Sequence, residues 1–176
     1  MRKRLRGLGL LIVVAAFFGG MQYWAVKARE RDWWWFGGGP NHMTFLDLSE
    51  AKHSEGHLLL VERVPDEEIT GRLEYEFSWS CQKNMVRWGT MWEKDDDLEQ
   101  VQRHPAPKDQ SQLHVPKNVM EGDALSLACA NPSERKKLRT LQIDRSPVRF
   151  ANDAFKMVED GARPFDALMK AARRTD

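Results

Sequence analysis

The chain of 176 residues holds only two cysteines, Cys81 and Cys129. That excludes a four-cysteine zinc site and a CxxC redox pair. No glycine-rich phosphate loop and no serine elbow occurs, and no internal repeat is visible. No cysteine follows the one long apolar run, which excludes a lipid-modified N-terminus. A broad basic face is also missing. Residues 27–132 carry 12 Lys/Arg against 19 Asp/Glu, a net of −7. Such a segment is a poor fit to the phosphates of nucleic acid, so no nucleic acid is expected as a partner. A net basic balance occurs at the two ends, with four Lys/Arg and no acid in residues 1–26, and 11 against 7 in residues 133–176.

What is present begins at the N-terminus. Arg2, Lys3, Arg4 and Arg6 precede an uncharged, mostly apolar run from Gly7 to Val26, and Lys27, Arg29 and Arg31 follow it. As a helix, about twenty residues span roughly 30 Å, the thickness of a bilayer core. Tyr23 and Trp24 fall where aromatic side chains settle at a membrane interface. Residues 1–31 therefore read as a basic start plus a single-pass signal anchor. The N-terminus would lie inside, and the rest of the chain beyond the inner membrane, in the periplasm. Cleavage after Val26-Lys27-Ala28 and export of a free domain is the alternative, but a lysine between the two small positions makes that a poor site. The membrane itself and other envelope proteins are the expected partners.

Residues 32–132 read as an α+β domain. Leu73, Tyr75, Phe77, Trp79 and Cys81 alternate with Glu74, Glu76, Ser78 and Ser80, which predicts a strand with one apolar and one wet face. Val86, Trp88, Thr90 and Trp92 continue the alternation beyond a turn at Gln82-Lys83-Asn84, so 73–81 and 84–93 form an antiparallel hairpin. Met43–Asp47, His57–Val64 and Asp32–Phe36 read as three further strands, the last broken by Gly37-Gly38-Gly39-Pro40. Strands are expected to stop at Asp95-Asp96-Asp97. Residues 103–118 form a proline-bearing loop with at most a short strand at Gln112–Val115. The total is five to six strands. From Val119 to Ala130 the period becomes helical and ends at Asn131-Pro132. Cys129 thus falls in the last turn of a helix and Cys81 at a strand end. An exported location favours a bridge between them over two separate buried thiols. It would close a loop of about 48 residues.

Residues 133–176 read as a basic, partly helical tail. Arg135-Lys136-Lys137 opens it, Asn152 is placed to cap a helix over 153–160 that Gly161 stops, and Pro164 starts another running to Arg174. Its apolar faces would dock on the sheet or on a partner. In Trp33-Trp34-Trp35-Phe36, alternate residues face opposite ways, and only one pair can fill a one-sided core. The other pair would cover the membrane surface, the tail or a partner, which makes Trp33–Phe36 a candidate interaction surface.

No catalytic residue, metal site or cofactor is predicted. His53 and His57 are four apart, but Gly56 and the start of a strand intervene. His42, His104 and His114 sit without carboxylates at ligand spacing, and Asp95-Asp96-Asp97 lacks the rest of a calcium loop.

Over about residues 33–130 the order of features resembles the surface-adhesin protein E family of bacterial envelope proteins. A tryptophan-led strand (Trp33–Phe36) is followed by a strand closing on aspartate (Thr44-Phe45-Leu46-Asp47). Then come a long strand (His57–Val64), a strand ending in cysteine (Tyr75–Cys81) with its hairpin partner, and a small-residue helix with a cysteine near its end (Ala124–Cys129). The resemblance implies an antiparallel sheet packed by a helix, joined cysteines, an envelope location and, for the founding members, binding of host extracellular proteins. This chain departs from them in lacking a lipidation cysteine and in carrying the basic tail. The function expected is a non-catalytic, membrane-tethered interaction domain; the alternatives are a secreted or surface adhesin and a periplasmic hydrolase.

Overall fold

The computed structural model describes residues 31–63, 69–94, 100–106 and 108–172. The signal-anchor reading of Gly7–Val26 and the Asp95–Asp97 turn lie outside the described residues. Among the described residues, no helix is long and apolar enough to cross a membrane.

Alternating side chains and tight turns produce a meander of antiparallel strands: β1 (Trp33–Gly39), β2 (His42–Asp47), β3 (Glu55–Arg63), β4 (Ile69–Ser80), β5 (Met85–Lys94) and β6 (Gln100–His104). A seventh strand, β7 (Leu141–Gln142), pairs with the outer side of β1, giving the order β6-β5-β4-β3-β2-β1-β7. The fold is mixed α+β. The five to six strands expected become seven. β1 is not broken at Gly37 but runs to Gly39, with a register shift at Phe36. A Cβ on Gly38 would lie 2.5 Å from the His42 carbonyl oxygen, so the close approach of β1 to β2 there requires glycine. Strands do not end at Asp95–Asp97 either, since β6 follows.

Among the described residues four α-helices follow: α1 (Val119–Cys129), α2 (Pro132–Arg135), α3 (Pro147–Glu159) and α4 (Pro164–Ala171). The helix expected at 153–160 begins six residues earlier. Pro147 supplies the fixed φ suited to a first helical turn, and Asn152 is an exposed mid-helix residue rather than a cap. Gly161, at φ +88°, stops the helix as expected.

The sheet is covered on both faces. On one, α1 packs Ala124, Leu125, Leu127 and Ala128 over Trp34, Phe36, Leu46, Leu58, Phe77, Trp79, Val86 and Trp88. On the other, Val148, Phe150, Ala151, Ala154 and Phe155 of α3, with Leu168 of α4, pack over Trp33, Met43, Phe45, Leu59 and Val61. The described residues from Asp32 onward belong to one compact unit. Residues 133–176 are therefore not a tail appended to a finished domain. They add a strand and the second helical layer, and Arg63 at the end of β3 pairs with Glu159 of α3.

Two expectations are corrected. Trp33, Trp34 and Phe36 are buried, and Trp35 is packed against the α3 layer, so Trp33–Phe36 is core and not an exposed interaction surface. Each pair has a helix to cover it. Glu74, expected on a wet face, is buried, with one carboxylate oxygen 2.9 Å from His57 Nδ1 and the other 3.2 Å from Lys94 Nζ. Trp92 lies on the same face, its ring beside those of His57 and the Lys94 ammonium.

Arg135, from the basic cluster, donates from Nε to the carbonyls of Leu127 and Ala130 and lies 5.7 Å from the Trp34 ring centroid. It closes the C-terminal end of α1, where a cation meets the negative end of the helix dipole. Cys81 and Cys129 are joined by a disulfide, their Cα atoms 5.6 Å apart, fastening the last turn of α1 to the turn between β4 and β5.

Candidate interaction surface

β6 pairs with the second half of β5 only, from Met91 to Lys94. The first half of β5 would be left as an open edge, were it not for the loop that leads from β6 to α1. Trp88 N–H donates to the Gln110 carbonyl (3.1 Å), and Val86 and His114 exchange both backbone hydrogen bonds (2.8 and 2.9 Å). The short strand expected at Gln112–Val115 is thus a single antiparallel bridge, Val86↔His114.

The loop is held at its far end by Glu121. Asn118 caps α1 by accepting from Glu121 N–H at 2.9 Å, and this N-x-x-E arrangement turns the Glu121 side chain back toward the preceding chain. One carboxylate oxygen accepts from Lys117 N–H (2.6 Å). The other accepts from Trp88 Nε1 (2.6 Å) and lies 3.3 Å from His114 Nε2. The second ring nitrogen of His114 is 2.9 Å from the Gln112 carbonyl. A buried carboxylate so placed ties loop, sheet and helix at one point. Its burial works to raise the pKa, but the bonds from Lys117, Trp88 and His114, with the charge of His114, outweigh burial and hold Glu121 below its ordinary value.

This carries a pH prediction. A carboxylate whose folded pKa is depressed contributes stability that is fully present above its unfolded value and is lost as pH falls through the folded one. Acid unfolding of the wild type and of Glu121→Gln should show the largest gap near neutral pH. The gap should narrow below the ordinary carboxylate value of 4.5. A gap that stays constant down to strong acid would show that the charge of Glu121 contributes nothing.

A cavity of about 210 Å³ beside this clamp is lined by Leu58, Tyr75, Trp88, Gln110 and Met120 as well as Glu121. Burial, then the nearby charge of Glu62, pushes the Tyr75 phenol above its usual range. The bonds to Glu121 hold the backbone of the loop against β5 and the start of α1.

What the clamp positions is apolar. Among the described residues the large hydrophobic side chains that stand exposed are Leu113 (41%), Val115 (62%) and Val119 (79%), all on this loop and the first turn of α1. Val115 also borders a cavity of about 390 Å³ whose wall includes Pro116, Leu125 and the Cys81–Cys129 disulfide. All three stand within seven residues of chain, on a segment held in place by the bonds to β5 and Glu121, and Val115 is the one that borders the cavity.

The sequence pointed elsewhere. Trp33, Trp34, Trp35 and Phe36 are far from exposed, while Leu113 and Val115 went unnoticed inside a proline-bearing loop. Cys81 and Cys129 do border the new surface. His114, seven residues from Glu121, has a carboxylate neighbour that only folding supplies. His53 and His57 fall in separate elements, a 3-10 turn (Ala51–His53) and β3, and His57 faces Glu74. No group of three or more His, Cys, Asp or Glu placed to hold a metal ion occurs among the described residues.

No family model matches the chain, and neither the curated proteins nor the solved structures contain a match. The class is therefore defined by the molecule alone: an antiparallel α+β sheet domain covered on both faces, with a disulfide and an exposed apolar rim.

Proposed function

We propose that this chain is a non-catalytic, membrane-tethered domain of the cell envelope that works by binding another protein through the rim formed by Leu113, Val115 and Val119. The N-terminal apolar run from Gly7 to Val26, flanked by basic residues, supports a single-pass anchor in the inner membrane with the domain in the periplasm. The Cys81–Cys129 bridge fits that compartment. The likeness to the surface-adhesin protein E family supports the same setting and a binding role.

The observation that carries the reading is the contrast at the rim. The loop is fastened to β5 and α1 by backbone and carboxylate bonds, yet Leu113 and Val115 on it, and Val119 at the start of α1, face solvent. A rigid, exposed apolar segment loses little conformational entropy on binding.

The test is a full-length Leu113→Asp, Val115→Asp double variant, expressed in its membrane and crosslinked in intact cells. The variant should keep its disulfide and its thermal transition, because both side chains project outward, but should lose its crosslinked protein adducts. Adducts unchanged in identity and yield would refute the rim as the binding surface.

A further inference from the structure

The rim also carries a short open edge, joined to β5 by a single bridge. Because Val86 and His114 exchange both backbone bonds, the N–H and C=O groups of Leu113 and Val115 point away from β5. Those four groups have no hydrogen-bond partner among the described residues. Val115 precedes Pro116, which favours extended backbone at this point. The remaining outer edges are protected in ordinary ways. β6 exposes Gln102 and Arg103, and β7 is only two residues long. Residues 112–116 form the one apolar stretch of open edge among the described residues, and proteins do not commonly leave such a stretch bare.

On the reading that this rim is the interaction surface, we infer that its occupant is a second copy of the same chain, paired strand to strand about a two-fold axis through His114. The edge is self-complementary. Antiparallel pairing centred on His114 sets Leu113 opposite Val115 of the second copy, and Val115 opposite its Leu113. Both form hydrogen-bonded pairs, so every unpartnered group at these positions finds a partner and two apolar residues meet two others. Any register centred on Leu113 or Val115 brings fewer of these groups together.

Charge does not oppose the pairing: Asp109 and Lys117 are exposed and 3.5 Å apart within one copy, so each copy brings a neutralised pair rather than a net charge to the contact. Pro105 and Pro116 bracket the stretch and limit how far the pairing can extend. An edge contact of this length falls short of the area of a stable dimer in solution. Confinement in one membrane raises the effective concentration of the second copy and makes a short edge sufficient.

The test uses full-length chains in their membrane. Two differently tagged forms, Leu113→Cys and Val115→Cys, are expressed alone and together under mild oxidation. Cys81 and Cys129 are already joined and do not compete. In a hydrogen-bonded pair the opposed Cα atoms are about 5.5 Å apart, within disulfide reach, while the Leu113–Leu113 and Val115–Val115 diagonals fall outside it. The mixed cells should therefore yield a severalfold higher fraction of disulfide-linked dimer than either form alone. Val115→Pro, which removes a donor that the single copy does not use, should abolish co-isolation of tagged with untagged chain. Leu113→Asp should do the same if the proline variant fails to fold. Absence of the mixed dimer, or equal yields in all three cultures, would overturn the inference. So would adducts formed only with a different protein, but that outcome would leave the rim as a binding surface. No adduct of either kind would remove both.

Discussion

Replacing Phe150 with alanine is expected to destabilise the domain by about 3–5 kcal/mol, measured by urea unfolding. Phe150 lies in what the sequence presents as a basic tail, yet it is fully buried and meets Phe45 of β2 edge to face at 5.9 Å between ring centroids. The Arg145 guanidinium, held 2.9 Å from Asp153, lies 5.8 Å from the same ring centroid. Truncation therefore loses dispersion and aromatic geometry, and it leaves a cavity between α3 and the sheet that rigid strands cannot close. The same logic makes a chain ending at Pro132 non-viable. It would bare Trp33, Met43, Phe45, Leu59 and Val61 together, and should aggregate or fail to show a cooperative transition. A cost of under about 1 kcal/mol for Phe150→Ala would mean that residues 133–176 only rest on the surface.

The second large effect concerns the disulfide. The bridge closes a segment with a sequence separation of 48 residues, and a loop of that size restricts the unfolded chain by about 4 kcal/mol in the chain-entropy model. Cys129→Ala or Cys81→Ala should lower stability by about 2–5 kcal/mol. The damage should be local in character. Trp79, Phe77 and Trp88 keep their neighbours in the sheet, but the last turn of α1 is released from the β4–β5 turn, and Val115 loses one wall of its cavity. Hydrogen exchange should show α1 opening more readily than β4. Peptide mapping without reductant, on protein taken from the envelope, should recover Cys81 linked to Cys129. Two alkylatable thiols there would contradict the bridge.

How far the sequence carried is clearest in particular residues. The hairpin of β4 and β5 was legible because Tyr75, Phe77 and Trp79 recur at period two, and Trp88 keeps the same face in its partner strand. Tyr75, Phe77, Trp79, Val86 and Trp88 share a face as expected, but a register shift between Tyr75 and Phe77 turns Trp92 to the opposite one, where Glu76 is exposed and Glu74 is buried. Alternation marks which residues share a face, but it cannot tell whether a second layer arrives from 80 residues downstream. That is why Trp33 and Trp34, correctly assigned to opposite faces, both prove buried; Glu74 was misplaced for another reason, its neighbours His57, Lys94 and Trp92 being supplied by the flanking strands. β6 was invisible because an edge strand with Val101 as its one apolar residue carries no alternating signal. β7 is too short to have a period. In α3, Asn152 drew attention as a cap, while Ser146-Pro147, the true start, carries the stronger signal of proline at the first helical position.

The clamp at Glu121 was half legible. Asn118 followed by Glu121 ahead of Ala124 and Leu125 is a capping sequence and could have marked both the start of α1 and a carboxylate turned back on the loop. Its other partners could not be read. Trp88 is 33 residues away, and a hydrogen bond across that separation exists only once β5 and α1 pack. The exposed rim is harder still. Leu113 and Val115 look like ordinary loop residues, and only their lack of cover in the folded domain sets them apart.

The central claim is that this rim is where the protein meets its partner. It is tested most directly by placing a photo-crosslinking amino acid at Val115 of the full-length chain in intact cells. Exposed positions on other elements, Lys52 and Lys156, serve as comparisons. The account predicts discrete protein adducts from Val115 on irradiation, and none of the same size from Lys52 or Lys156. Adducts confined to the comparison positions, or none at Val115 in cells where the domain is folded and disulfide-bonded, would contradict it.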